Sequence, residues 1–380
     1  MKDYKKVGTP IITVEHLGDN KIIHHDLPLV GDDDKERLIR YILQEGDIVF
    51  SRVGSVDRRA YVTHKEDGWM FSGRCLRVRP NNIHINSRFL SFYFGQEKFK
   101  ENIRKIAVGA TMPSINTTIL SEVTIFVPPL PTQTRIASIL TSFDDKIELL
   151  GQMNQTLETM AQTIFKEWFV NFNFPGFDGE LVEGLPKGWR MGRLEDLTDI
   201  KTGKGLKRSE FKIDGKYSVI GANGEIGKTD NFLFDDKFIL TGRVGTLGTI
   251  NISYGKHWYS DNVLIMKPFN YFYYTYFLLK MIDMKSLNRG STQPLITQTD
   301  LKNYVSILPN AKLSSLFEEI SFNIFEKIFS NIDQVRTLTH LRDALLPKLM
   351  SGTMSEHDLK DYKMDRIMNE TITINTRLKN

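Results

Sequence analysis

The 380-residue chain carries a single cysteine, Cys75, which excludes both a disulfide framework and a cysteine-based zinc site. No apolar run approaches the roughly 18 residues that a membrane-spanning helix needs. The nearest, Phe269 to Leu279, is short and rich in tyrosine. The opening Met-Lys-Asp-Tyr-Lys-Lys-Val holds no apolar core of a secretory signal, so a soluble, cytoplasmic protein without membrane contact is expected. Net charge is scarce as well. Fifty Lys and Arg against 46 Asp and Glu leave +4, so bulk charge announces no nucleic-acid partner, and local patches must do so. At 41% hydrophobic and 25% charged the composition is that of globular domains, and the length suggests two or three.

Catalytic signatures are also wanting. Ala222-Asn-Gly-Glu-Ile-Gly227-Lys228-Thr229 fits a loose P-loop pattern, but a P-loop must open a helix whose N-terminus meets the phosphates. Here Asp230-Asn-Phe-Leu-Phe leads into another short strand, so a glycine turn is expected. Gly203-Lys-Gly205 lacks the third glycine of a dinucleotide fingerprint. Pro128-Pro129 sits between Val127 and Leu130, the wrong company for a base methyltransferase motif. His24-His25 has no carboxylate and histidine set around it, and no nucleophile elbow is present. The chain reads as non-catalytic, with no metal and no cofactor of its own.

What the chain does have is a repeat. Gly109-Ala-Thr-Met-Pro-Ser-Ile-Asn-Thr-Thr-Ile-Leu lies against Gly290-Ser-Thr-Gln-Pro-Leu-Ile-Thr-Gln-Thr-Asp-Leu, with six identities at one offset, 290 − 109 = 181. Chance would supply about one. Pro128/Pro309 and Leu157/Leu338 keep the offset. Upstream, Arg52-Val-Gly matches Arg243-Val-Gly at 243 − 52 = 191, so the first copy holds about ten extra residues between the blocks. Each copy opens with a strand-rich, mixed α/β part. Asp47-Ile-Val-Phe and Phe238-Ile-Leu-Thr read as buried strands, and Val123-Thr-Ile-Phe-Val and Tyr304-Val-Ser-Ile-Leu as strands that close each domain. Tyr271 to Met281 reads as a helix with an aromatic face.

A long helix then follows in each copy. Ile136, Leu140, Phe143, Ile147, Leu150, Asn154, Leu157, Ala161, Ile164 and Trp168 step by four and three without a break, the 3.5-residue period of a coiled-coil seam. The second copy repeats this through Leu316, Ile320, Ile324, Ile328, Val335, Leu338, Leu345 and Leu349. A lone amphipathic helix of this length is unstable in water, so the two are expected to pair. Antiparallel pairing that puts Asn154 beside Asn331 would set Ile147 against Leu338, with seam asparagines selecting the register.

Basic residues cluster locally. Lys201, Lys204, Lys207 and Arg208 fall in one glycine-containing stretch without an acid. Arg52, Arg58 and Arg59 flank the Gly54 turn, with Arg243 the repeat mate of Arg52. Lys98, Lys100, Arg104 and Lys105 share a predicted helix. Arginine suits guanine readout and lysine suits phosphates, so the first two sets are candidate DNA contacts.

Five stretches carry a resemblance to a family. Pro128-Pro-Leu-Pro-Thr-Gln-Thr-Arg-Ile-Ala-Ser-Ile-Leu, Asp144-Asp-Lys-Ile-Glu-Leu-Leu and Asn154-Gln-Thr-Leu-Glu-Thr-Met-Ala-Gln-Thr-Ile-Phe-Lys-Glu-Trp-Phe-Val closely resemble the central conserved region of type I restriction-modification specificity subunits. Leu345-Leu-Pro-Lys-Leu-Met-Ser-Gly is similar to the end of their distal region, and Leu185-Pro-Lys-Gly-Trp189-Arg to the start of a target recognition domain. The resemblance implies two recognition domains, each reading half of a bipartite double-stranded DNA site, joined by an antiparallel helical rod. It further implies two docked methyltransferase subunits and restriction subunits, with S-adenosylmethionine and ATP bound by those partners.

The expected fold class is therefore α+β: two mixed α/β target recognition domains, each followed by a long helix, with pseudo-two-fold symmetry. The expected segments are a first domain at 1–130, a central helix at 131–172, a linker at 173–188, a second domain at 189–309, a distal helix at 310–352 and a tail at 353–380. Helix pairing is assigned to Ile147, Leu150, Asn154, Leu157, Ile328, Asn331, Val335 and Leu338. One departure stands out. Tyr4-Lys-Lys-Val aligns best with Tyr217-Ser-Val-Ile, so the first domain lacks counterparts of the Gly- and Lys-rich lead segment from Trp189 to Lys216. The competing readings are a duplicated coiled-coil adaptor that binds no DNA, and an enzyme with an unrecognised motif.

Overall fold

A computed structural model describes residues 4–244, 247–290 and 294–353. Gly245 and Thr292 of the repeated blocks, and the tail beyond Thr353, lie outside the described residues. One compact unit comprises the chain up to Gly151 together with the part from Ile332 onward, and the other is Gln152–Asn331. Each unit thus holds one copy's globular domain and a portion of both long helices. Among the described residues no helix is long and apolar enough to cross a membrane.

The main strands of the first copy are β1 (Thr9–Ile12), β2 (Ile48–Ser51), β3 (Arg59–Tyr61), β4 (Met70–Phe71) and β5 (Cys75–Val78). β2 is buried along its whole length, as its β-branched and aromatic run demands, and pairs antiparallel with β3 on one side and β5 on the other. β1 pairs parallel with β4, Ile11 opposite Met70. The helix Ser87–Tyr93 starts at Asn86, whose side chain accepts from the Phe89 N–H at 2.9 Å.

Next in the chain comes α1 (Leu130–Phe169), with Pro131 near its start where a missing N–H is harmless. The second copy follows with β6 (Arg190–Arg193), β7 (Thr198–Thr202), β8 (Tyr217–Gly221), β9 (Phe238–Gly242), β10 (Ile250–Ser253), β11 (Lys256–Tyr259), β12 (Val263–Pro268) and β13 (Val305–Leu308), and then α2 (Ala311–Met350). β9 takes the place of β2, flanked by β10 and β12, while β8 and β11 pair parallel as β1 and β4 do. The P-loop-like stretch is the turn of an antiparallel hairpin, β8 returning along Gly224–Thr229.

Three sequence expectations are corrected here. The parallel pairing places Ile11 and Ile12, not Tyr4 to Val7, in the position of Val219 and Ile220. Residues 123–127 belong to no strand, because β13 is a strand through its partner β6, and the first copy has no such partner among the described residues. Likewise β7 borders β12, whereas β5 pairs with β2 alone among the described strands. In the third case, Leu316 of the predicted seam is 41% exposed and Phe317 is fully buried instead. There α2 must cover the aromatic helix Phe272–Met281 as well as α1, which rotates its inner face by one residue.

The two long helices run antiparallel, each about 60 Å at 1.5 Å per residue. Within the second unit Asn331, fully buried, donates its Nδ2 to Asn154 Oδ1 at 2.8 Å. Ile328 is buried, Leu157 packs half-buried beside it, and Phe165 and Trp168 set their rings against Phe317. Within the first unit Arg342 bonds Asp144 at 2.8 Å, Leu150 and Leu338 are buried, and Ile147 and Val335 are half-buried.

Candidate nucleic-acid interface

In each copy the central strand runs into an arginine turn, and a distant loop clamps that turn. From β2 the chain enters Arg52-Val53-Gly54. The Arg52 carbonyl accepts from the Ile115 N–H at 2.9 Å, the Gly54 N–H donates to the Pro113 carbonyl at 2.8 Å, and Val53 bridges Ser114. Gly54 sits at φ +80°, a conformation in which a side chain is strained. From β9 the chain enters Arg243-Val244. The Arg243 carbonyl accepts from the Ile296 N–H at 3.0 Å, and Val244 bridges Leu295.

The clamping loops match too. Val108 donates to the Ser114 carbonyl at 2.9 Å, and Arg289 to the Leu295 carbonyl at 3.0 Å. Ile115 and Ile296 are buried, so each loop is anchored in its domain's core. Met112, at the first tip, is 64% exposed. The two repeated motif blocks are thus one device, built twice: an arginine presented from a strand end, braced by an anchored loop. Nothing in the linear sequence tells that the blocks touch.

The candidate cations differ in availability. Arg52 is exposed, with only a long contact, 3.4 Å, from Nη1 to the Gly73 carbonyl. Arg58 is exposed and donates to the Leu17 carbonyl. Arg243 is half-buried at its turn. Lys201 on β7 is exposed and pairs with Asp199 at 2.6 Å. Lys204, Lys207 and Arg208 are exposed on the segment after β7. That segment is held down by the Lys204 carbonyl, which accepts from Trp258 Nε1 at 2.7 Å.

Arg59 is a correction. It is 4% exposed, its Nε donates to the Ser91 carbonyl at 2.8 Å and its Nη1 meets Asp19 at 3.1 Å. Burial lowers the pKa of its guanidinium, and the Asp19 carboxylate works against that. The reason is strand alternation: β3 pairs Phe50 with Arg59 as β10 pairs Thr241 with Ile250, so Arg59 occupies an inward position that the second copy fills with isoleucine. The offset of 191 links these two positions, so the sequence carried the signal. Arg104 is also spent, bonding Asp57 at 2.6 Å and Glu97.

Sequence reasoning missed a charged cluster in the first unit. Arg342 on α2 joins Asp144 on α1 at 2.8 Å and lies 3.8 Å from Asp19, beside a cleft of about 590 Å³ bordered by Lys98 and Lys100. Burial raises the Asp144 carboxyl, with Arg342 opposing it. In the second unit the matching tie is Glu158, which accepts from Tyr276 Oη and Lys280 Nζ at 2.6 Å each. These ties fix each domain on the helices, and their long-range partners leave no local sequence signal. Among the described residues no cluster of three metal-ligating side chains occurs, and His24 is engaged with Glu66 at 2.5 Å.

The comparisons with known proteins agree with this duplicated geometry. The profile of the type I restriction modification DNA specificity domain matches residues 2–159 and again residues 186–335. The chain is 29% identical, over 72% of its length and 71% of the relative's, to the MjaIX type I restriction enzyme specificity subunit of Methanocaldococcus jannaschii. It is 26% identical to the HindI specificity subunit of Haemophilus influenzae, covering 90% of this chain and 94% of that one. In fold it is similar to the S subunit of a type I restriction-modification system from M. genitalium, with a TM-score of 0.57 over 92% of this chain and 90% of that one, at 17% identity.

Proposed function

Because the chain belongs to the type I restriction modification DNA specificity family, we propose that it reads a bipartite double-stranded DNA target and carries methyltransferase subunits to it. The observation that carries this reading is the arginine turn and anchored loop, built once per copy on domains that share a paired-helix spacer. Arg52, Arg58, Lys201, Lys204, Lys207, Arg208 and Arg243 are the proposed contacts, the lysines to phosphates and the turn arginines to base edges. A stiff helical spacer makes the separation of the two half-sites a geometric quantity.

The chemistry is delegated in this reading. Two methyltransferase subunits supply S-adenosylmethionine and extrude the target base, and restriction subunits supply ATP-driven cleavage. This chain is non-catalytic and contributes readout and spacing. The assembly works in the cytoplasm, where the chromosome is.

Methylome sequencing of cells expressing the chain with its neighbouring methyltransferase subunit tests the proposal. A bipartite methylated motif that disappears when residues 242–246 are deleted is the expected result. Absence of any motif, together with no salt-sensitive DNA binding by the assembled subunits, would instead favour a protein-only adaptor. Methylation or cleavage by the purified chain alone would overturn the delegation.

A further inference from the structure

A cavity of about 400 Å³ in the second unit is lined by the β8 hairpin and by strands β9 and β10. Gly221 pairs with Gly224, so Ala222 and Asn223 form a two-residue turn at its rim, with Gly224 at φ +113°. This is the turn of the P-loop-like stretch. Ile220, Leu240 and Val263 supply apolar walls, and the last two are buried. Leu240 lies directly opposite Asn251 in the ladder, so both side chains stand on one face of the sheet. That face carries a small apolar core around Leu240, Tyr259 and Val263. Asn251 and Asn223 are both exposed where they line the cavity, and no described residue engages either carboxamide.

The first copy fills the corresponding place. At the offset of 191, Leu240 and Asn251 match Val49 and Ala60, which pair in the same way. Both are fully buried and pack with Ile12 in one apolar cluster. The second copy thus sets an exposed carboxamide where the first buries a methyl group. The cavity also shares its walls with the candidate DNA contacts. Gly242 pairs with Val263, and the Arg243 N–H donates to the Asn262 carbonyl at 2.8 Å. The Gly203 N–H, one residue before Lys204, donates to the Val263 carbonyl at 3.0 Å.

We infer that this cavity takes one adenine of the half-site read by the second copy, turned out of the base stack and recognised by the Asn251 and Asn223 carboxamides. The inference rests on the proposed reading of DNA. A carboxamide offers a donor and an acceptor side by side, which matches the N6 amine and N7 of adenine. A stacked, paired base shows only an edge in a groove, whereas a concave site with apolar walls and a polar rim fits a whole base. Ile220, Leu240 and Val263 cover the base, and the two carboxamides choose it.

Methylome sequencing of cells expressing the chain with its methyltransferase subunit gives the first test. Asn251→Ala and Asn223→Ala are each expected to relax one adenine position roughly tenfold, in the half-site that Arg243→Ala affects. Asn251→Asp, of equal size but without the amide donor, should shift that position toward cytosine. The second test places 2-aminopurine, a fluorescent adenine analogue, at that position in a duplex bound by the assembled complex. Its emission should rise roughly fivefold or more on binding, since unstacking relieves quenching and no aromatic side chain lines the cavity among the described residues. Three results would each overturn the inference while the DNA reading stands: an unaltered motif in both alanine variants, a relaxed position that is not adenine or is the methylated base itself, and a probe that stays dark. A parent complex that yields no motif overturns both.

Discussion

The two copies solve one packing problem in two ways. At the inward position of the strand beside the central one, the second copy places Ile250 and the first places Arg59. Isoleucine needs only apolar neighbours. Arginine needs Asp19 and the Ser91 carbonyl held in place, because an unpaired buried charge costs several kcal/mol. A repeat therefore conserves the direction in which a residue points more strictly than its chemistry. Around the same strands the second copy has two additional neighbours, β6 and β7, that the described part of the first does not.

Exchanging the two residues tests this most severely. Ile250→Arg, with no carboxylate waiting, is expected to destabilise the second domain by more than about 4 kcal/mol. Arg59→Ile should stay within about 1 kcal/mol of the parent and leave DNA affinity unchanged. Denaturant unfolding of both variants decides it, and equal losses would mean that the positions are not equivalent.

The copies should also part company in pH response. Glu318 on α2 accepts from the Tyr274 N–H at the start of an aromatic helix, and burial pushes its carboxyl up to about 7. The first copy has Ala137 at the corresponding place. A carboxyl raised by folding contributes stability below its unfolded pKa and loses it as pH rises through about 7. Melting at pH 5 and pH 8 should therefore show a loss on the order of 3 kcal/mol at the higher pH, and Glu318→Gln should remove it. A wild-type slope that persists in this variant would place the titration elsewhere.

On DNA the two halves should act separately. Arg52→Ala and Arg243→Ala are each expected to weaken binding of the methyltransferase complex by about 1–3 kcal/mol. Each should relax sequence preference in a different half-site, which methylome sequencing reads directly. Loss of preference in the same half from both would break the two-reader picture. The smallest effect belongs to the shared helices. Asn154→Val removes the acceptor of Asn331 but adds apolar contact, so stability should change by about 1 kcal/mol or less. Register, read by cross-linking cysteines across the seam, should broaden.

Local and periodic features were legible from the start. The 3.5-residue seam, the seam asparagines, the β-branched central strands and the fixed offset together announce two domains and a paired-helix spacer. They do so because helix and strand periods are set by backbone geometry, and a duplication leaves its mark in spacing alone. The candidate interface was legible only as separate pieces. Arg52 and Ile115 are far apart in the chain, and only folding makes the Ile115 N–H brace the Arg52 carbonyl.

Tertiary structure decided which charges face outward, and the sequence hinted at it only through the repeat offset that sets Arg59 against Ile250. Arg58 and Arg59 are neighbours of identical chemistry, yet strand alternation sends one to solvent and the other into an ion pair with Asp19. It also decided which extended runs become strands. Tyr304-Val-Ser-Ile-Leu and Val123-Thr-Ile-Phe-Val have equal propensity, but a strand exists only where a second backbone accepts and donates its hydrogen bonds, and that partner lies elsewhere in the chain.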